Sequence, residues 1–199
     1  MITNPDTYQR IIESAKELIY AKSYADVGVA AICEKANVKK GSFYHFFPSK
    51  QALTLAVIET YYTDFKERII DSAFDTSRPP LQRLNQFITN SIELQCEIHR
   101  QTGHVYGCPF GNLATELATQ DETIRAKLDR QFAKLQTLFQ NTLQEAVDRS
   151  DVKNINVEAT AKAILAMFEG TMLLAKTHND PNILRQLLPA AADLRLTHP

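Results

Sequence analysis

Glycine is scarce in this chain, six residues in 199, and no alternating run of β-branched residues is sustained. Strand-rich architectures are therefore not expected. Long apolar runs are missing as well. None approaches the roughly 18 residues of a membrane span. Met1-Ile2-Thr3-Asn4-Pro5 has no charged-then-apolar leader, so neither insertion nor export is expected. There are only three cysteines. An odd count disfavours a disulfide framework and fits a reducing cytoplasm, the expected location. Net charge is nearly absent at −1, which alone would argue against a nucleic-acid partner. Enzyme signatures are lacking too. Lys40-Gly41-Ser42 is not a phosphate loop, and Gly103, Gly107 and Gly111 recur every four residues without a dinucleotide turn. No Ser/His/Asp set or carboxylate pair stands out, and no enzyme and no cofactor is expected.

What is present is apolar periodicity at helical spacing. Hydrophobic residues make up 44% of the chain, too many for disorder. Pro5 to Ala21 reads as a helix with Ile11, Ile12, Ala15, Leu18 and Ile19 inward. A long helix from Lys50 to about Phe74, with Ser49 as N-cap, carries Leu53, Val57, Tyr61, Phe65 and Ile69 at four-residue intervals. Pro80 stands at the first position of a helix through His99, followed by a loop over residues 101–107. A short helix follows from Pro109 to about Ala118. The spacing of Thr119 and Glu122 is that of a capping box and opens another long helix. A helix from Val157 to His178 and a last one behind Asp180-Pro181 complete the chain. With two short helices between residues 26 and 46 the total is nine. The expectation is all-α, without internal repeats, divided into a head of residues 1–48 and a body of residues 49–199. Residues 1–50 hold seven Lys/Arg against five Asp/Glu, and the remainder fifteen against eighteen. A mildly basic head on an acidic body fits a DNA reader joined to a domain with another task.

The head carries the most specific pattern. Asp26 to Val38 is a short apolar-periodic helix with Val29, Ile32, Cys33 and Ala36 inward, and Asn37 can adopt the left-handed conformation that ends it. A second short helix, Lys39 to Phe46, turns Phe43 and Phe46 inward and Lys40, Ser42, Tyr44 and His45 outward. A cationic, hydroxyl-rich face on a short helix suits the DNA major groove, although lysines on such a helix also occur as plain solvated surface. Lys39, Lys40 and Lys50 are the candidate phosphate partners. The run from Ile32 to Leu53 resembles the helix-turn-helix of TetR-type (AcrR-like) one-component regulators, including their Tyr-x-x-Phe and Ser-Lys-x-x-Leu elements. Gly28 departs from the family's usual capping Thr or Ser, and Asn37 from its usual Gly. The resemblance implies that Tyr44 and His45 approach phosphates and Ser42 a base edge or phosphate. It further implies a three-helix DNA-binding head on a helical regulatory and dimerisation domain. The interface would lie on the last two helices, with Phe168, Leu173, Leu184 and Leu187 in or near it. Two heads reading a palindrome would stand about 34–36 Å apart.

A second site centres on Cys108. Gly107-Cys108-Pro109-Phe110-Gly111-Asn112-Leu113 resembles a NemR-like subgroup of the same family, which responds to reactive electrophiles and oxidants. Independently, Pro109 as first helical residue makes Cys108 the N-cap, where unpaired amides favour a thiolate. A small, unreactive cap residue fits the same position. Lys176 is a candidate nitrogen partner for an oxidised sulfur, or a lysine complementing its own helix end. Cys96, His99, His104 and Cys108 match no standard zinc spacing, and no metal is expected. Cys33 reads as inert core. Phe87, Phe110, Phe132, Phe139, Phe168 and Met172 are either a ligand cavity or ordinary core. The expected function is a DNA-binding transcriptional regulator, a repressor released from its operator through Cys108. The alternatives are a repressor induced by a reversible hydrophobic ligand, and a helical binding or enzyme domain with a helix-turn-helix-like head.

Overall fold

A computed structural model describes residues 5–197, and among these every regular element is helical. They are α1 (Pro5–Ala21), α2 (Val29–Lys35), α3 (Lys40–Phe46), α4 (Lys50–Phe65), α5 (Pro80–Thr102), α6 (Pro109–Leu117), α7 (Glu122–Asp148), α8 (Val157–His178) and α9 (Asn182–Ala192). Beyond Phe65, α4 continues through a π-helical turn, Lys66–Ile70, and a last turn, Asp71–Ala73. A strict four-residue stripe drifts around a helix of 3.6 residues per turn. The wider π turn offsets that drift and leaves Ile69 buried, as are Leu53, Val57 and Tyr61.

The chain forms two compact units. One holds the described residues up to Asp64 together with Pro109–Asp129; the other holds Phe65–Cys108 and the residues from Arg130 onward. In the first, Ile11, Ala15 and Ile19 of α1, Ile32 of α2, Phe43 of α3 and Leu53, Val57 and Ile58 of α4 are buried. The inward pair of the recognition helix differs from expectation. Phe43 is buried and Phe46 only half-buried, while Phe47, one residue past α3, is buried and stacked on Tyr8 at 5.1 Å. Positions i and i+4 share a helix face more nearly than i and i+3 do at the end of so short a helix. Asn37 takes φ 52° and turns the chain between α2 and α3. The Ser49 hydroxyl accepts from Ala52 N at 3.0 Å, so the expected cap on α4 is present. The start of α7 is different: Asp121, not Thr119, caps it by accepting from Ile124 N at 3.0 Å.

The second unit is built on an aromatic cluster. Phe87 meets Phe139 at 5.1 Å and Phe168 at 5.2 Å, with Phe74 at 5.9 Å. Arg83, buried on α5, donates to both carboxylate oxygens of Glu145 on α7 at 2.6 and 3.1 Å, and to the carbonyls of Arg78 and Thr76. A buried guanidinium is tolerated because its donors are occupied. Pro80 begins α5 as expected, and α5 runs three residues past His99 before Gly103, at φ 75°, closes it.

Candidate functional site

Two places bear the sequence-derived candidates. On α3, Lys39 precedes the first residue, and Lys39, Lys40, Tyr44 and His45 are exposed, Tyr44 by 55%. Ser42 is half-buried beside them. Buried Phe43 supports the face from below, with the Tyr44 ring edge-on at 5.2 Å. None of these five side chains makes a hydrogen bond or ion pair among the described residues. Gly41 has open space where a Cβ would stand, so a flat surface can approach closely.

Lys50 is placed differently. Its ammonium donates to the Tyr24 carbonyl and lies 3.8 Å from the Tyr24 ring centre. Burial pulls its pKa below the usual lysine value, while Glu116 and Asp26 act the other way. It belongs to the internal bracing of the head more than to its outer face. The same brace contains a residue that sequence reasoning missed. The Glu116 carboxylate on α6 accepts from Tyr24 N at 2.9 Å and Ala25 N at 2.6 Å, in the loop that leads into α2. Gln51 of α4 donates to Asp121 at 2.6 Å. These pairs join positions 70 to 92 residues apart, a separation that local periodicity cannot reveal.

Cys108 stands immediately before Pro109, the first residue of α6, and is half-buried. The preceding loop is held by side chains. Gln95 of α5 brackets Gly107, donating to its carbonyl at 3.0 Å and accepting from its N–H at 3.2 Å. Asn179, the left-handed cap of α8, accepts from Val105 N and donates to the Gly103 carbonyl, both at 2.9 Å. Gly107 has φ 74°, and a Cβ there would stand 3.4 Å from the Met172 carbonyl and 3.6 Å from the Lys176 stem. Lys176 thus runs alongside the residue next to Cys108.

The thiol of Cys108 is hydrogen-bonded to the carboxyl of Glu169 on α8, a second residue that sequence reasoning missed. Burial pushes Glu169 up to about 7, and the thiol contact only partly opposes it. Its Oε1 is enclosed with no hydrogen-bond partner among the described residues. The sequence did hold a signal: Glu169 is the only charged residue between Lys162 and Lys176. Once ionised, a carboxylate beside the thiol opposes a thiolate. A helix start and a carboxylate therefore act on this sulfur in opposite senses. Cys33 differs again: it is buried, and burial pushes its thiol up, with Lys40 partly opposing.

The remaining candidates separate. Phe87, Phe139, Phe168 and Met172 are packed into the core of the second unit, Phe132 is half-buried, and Phe110 belongs to the first unit, edge-on to Tyr61 at 6.3 Å. Of the four residues expected at an interface, Leu173 and Leu187 are exposed, by 60% and 39%, joined by Leu174 at 47%. Phe168 and Leu184 are instead buried in the chain's own core, at 2% and 0%, because their positions on α8 and α9 face Phe87 and the α5 side. They offer no surface to a partner. No described helix is long and apolar enough to cross a membrane.

Comparison with known proteins bears on both places. Residues 11–57 match the family model for bacterial regulatory proteins of the tetR family, and residues 80–191 match the tetracyclin repressor-like C-terminal domain. The chain is 35% identical to the transcriptional regulator AcuR of Cereibacter sphaeroides, over 88% of this chain and 78% of that one. It is 25% identical to the HTH-type transcriptional repressor NemR of Escherichia coli (strain K12), over 64% and 62%. The solved structure of a regulatory protein TetR from Rhodobacter sphaeroides superimposes with a TM-score of 0.81 at 30% identity, covering 94% of this chain and 97% of that one.

Proposed function

The chain belongs to the TetR family of bacterial regulatory proteins, a family of DNA-binding transcriptional regulators, and we propose that it is a homodimeric repressor released from a palindromic operator when an electrophile or oxidant modifies Cys108. In this reading residues 1–48 bind DNA and residues 49–199 sense and dimerise. Lys39 and Lys40 neutralise phosphates, Tyr44 and His45 donate to phosphate oxygens, and Ser42 reaches a base edge or phosphate. The exposed leucines 173, 174 and 187 form the surface that the second copy covers. The relative named a transcriptional repressor supports the sign of regulation.

One observation carries the sensing step. Cys108 is covalently joined to the start of α6, and α6 holds, through Glu116, the loop that positions α2 and α3. Bulk added to the sulfur acts on a residue whose neighbour, Gly107, is fixed by Gln95 and lies against Lys176. Displacing α6 withdraws Glu116 from Tyr24 and Ala25 and loosens the head. Half-site spacing is set by the duplex, so affinity falls. With a hypochlorous oxidant, the thiol gives a sulfenyl chloride and water. The Lys176 amine then displaces chloride to form a sulfur–nitrogen bond and hydrogen chloride, an outcome related to known sulfenamide chemistry.

Gel shifts on the DNA upstream of the protein's own gene test this. The parent and the Cys33→Ser and Cys96→Ser variants should bind and should dissociate after N-ethylmaleimide or hypochlorite. Cys108→Ser should bind and stay bound. Dissociation of Cys108→Ser under the same treatment would remove Cys108 as the sensor. Sedimentation at micromolar concentration should give a dimer, and Leu173→Glu with Leu187→Glu should give a monomer.

A further inference from the structure

We propose that Glu169 takes the Cys108 proton when the thiol adds to an α,β-unsaturated carbonyl, and returns that proton to the adduct. This rests on the reading of Cys108 as the reactive thiol and adds the group that activates it. Three observations place it. The carboxyl is hydrogen-bonded to the thiol. Its second oxygen is enclosed and lacks a donor among the described residues, so it can accept from an incoming molecule. It is also the only charged group between Lys162 and Lys176 on α8.

The step balances without an oxidant. The Glu169 carboxylate accepts the thiol proton as the S–H bond breaks. The sulfur electron pair forms an S–C bond to the β-carbon, and the C=C pair moves toward the carbonyl as an enolate. The carboxylic acid then gives its proton to the α-carbon, leaving a thioether and a regenerated carboxylate. A base is most useful when its pKa lies near working pH, and burial brings Glu169 to about 7. No charged side chain contributes to that shift; burial and the Cys108 thiol are its causes. The two lysines of α8, Lys162 and Lys176, each stand seven residues from Glu169, and the Lys176 stem runs alongside Gly107. An uncharged electrophile is favoured, because an anionic one would meet the carboxylate.

Intact-mass kinetics of N-ethylmaleimide addition to the full chain, with peptide mapping of the adduct, test this on either side of pH 7. In the parent, the rate at Cys108 should rise with an inflection near 7. Glu169→Gln should slow addition at neutral pH by roughly tenfold or more and lose that inflection, leaving the steady rise of an unassisted thiol. Glu169→Asp, which keeps a carboxyl, should retain an inflection. Thermal melting shows whether each variant is folded. If Glu169→Gln is unfolded, the comparison of parent with Glu169→Asp decides, and a parent profile without an inflection would overturn the proposal. Parent-like kinetics in folded Glu169→Gln would overturn it too. Failure of the sensing reading looks different: Cys108 would be alkylated with the expected pH profile while operator DNA stayed bound.

Discussion

On α3 the polar side chains point outward and bond to nothing in the described chain, whereas near Cys108 Gln95 and one oxygen of Glu169 are enclosed, and Gln95 and the exposed Asn179 are bonded to loop backbone. Lys39, Lys40, Tyr44 and His45 lie on a surface supported by Phe43. Gln95 and Asn179 instead hold a short loop by its backbone, and Glu169 meets one thiol. An exposed face can meet a long charged partner without rearranging. In the reading proposed above, the corner at Cys108 meets one small reagent and moves when it reacts. The contrast between the cysteines follows the same line: Cys33 is buried in the head with no carboxyl among the groups that shift its thiol, and Cys108 meets the Glu169 carboxyl and follows Gly107, against which the Lys176 stem runs.

The largest expected effect sits at the enclosed corner. Glu169 is held above its ordinary value of 4.5, at about 7. Between those values the folded chain binds more protons than the unfolded one, so stability falls as pH rises through this window and levels off above it. The loss amounts to at most about 3 kcal/mol. Denaturant titrations of the parent should show it, and Glu169→Gln should be flat over the same range. At the open face, Lys39→Ala with Lys40→Ala should weaken operator binding roughly a hundredfold near 0.1 M salt, and lower the salt slope by about two per half-site. Their melting temperature should stay close to the parent's, because neither side chain packs. A melting temperature that fell with affinity would erase the contrast between the two regions.

Glu116→Ala addresses the connection within the first unit. Removing the acceptor of two backbone donors should weaken DNA binding by roughly tenfold without changing the salt slope. It should also blunt the response to alkylation, measured by fluorescence anisotropy before and after N-ethylmaleimide. The smallest effect belongs to Tyr44→Phe. It removes one neutral hydroxyl from an exposed position and should cost about 1 kcal/mol in binding. A loss as large as that of the double lysine variant would mean that Tyr44 reads DNA in some other way.

Much of the open region was legible from sequence, because the information there is local. Phe43 is fixed by helical period, and Asn37 by its tolerance of positive φ. Outward polarity needs only the absence of contacts. The nine helices, the Ser49 cap and Pro80 at a helix start are read in the same way. Phe47 is not legible in this way, because it lies one residue beyond the end of α3. Lys50 looked like a surface cation because nothing nearby in sequence shows that Tyr24 folds beneath it. The enclosed corner was less legible, since Gln95, Glu169 and Asn179 reach it from other helices. Phe168 and Leu184, which likeness puts in or near an interface, are buried in the chain's own core, where helices distant in sequence meet.

In the reading proposed above, one thiol controls DNA occupancy. Its most direct test follows two quantities on the same operator complex as N-ethylmaleimide is added in steps: the fraction of Cys108 alkylated, from peptide mass, and the fraction of DNA released, from anisotropy. Release should track Cys108 modification in the parent and in Cys33→Ser/Cys96→Ser. Cys108→Ser should give no release at any dose that leaves the chain folded. Release that runs ahead of Cys108 modification, or that persists in Cys108→Ser, would contradict it.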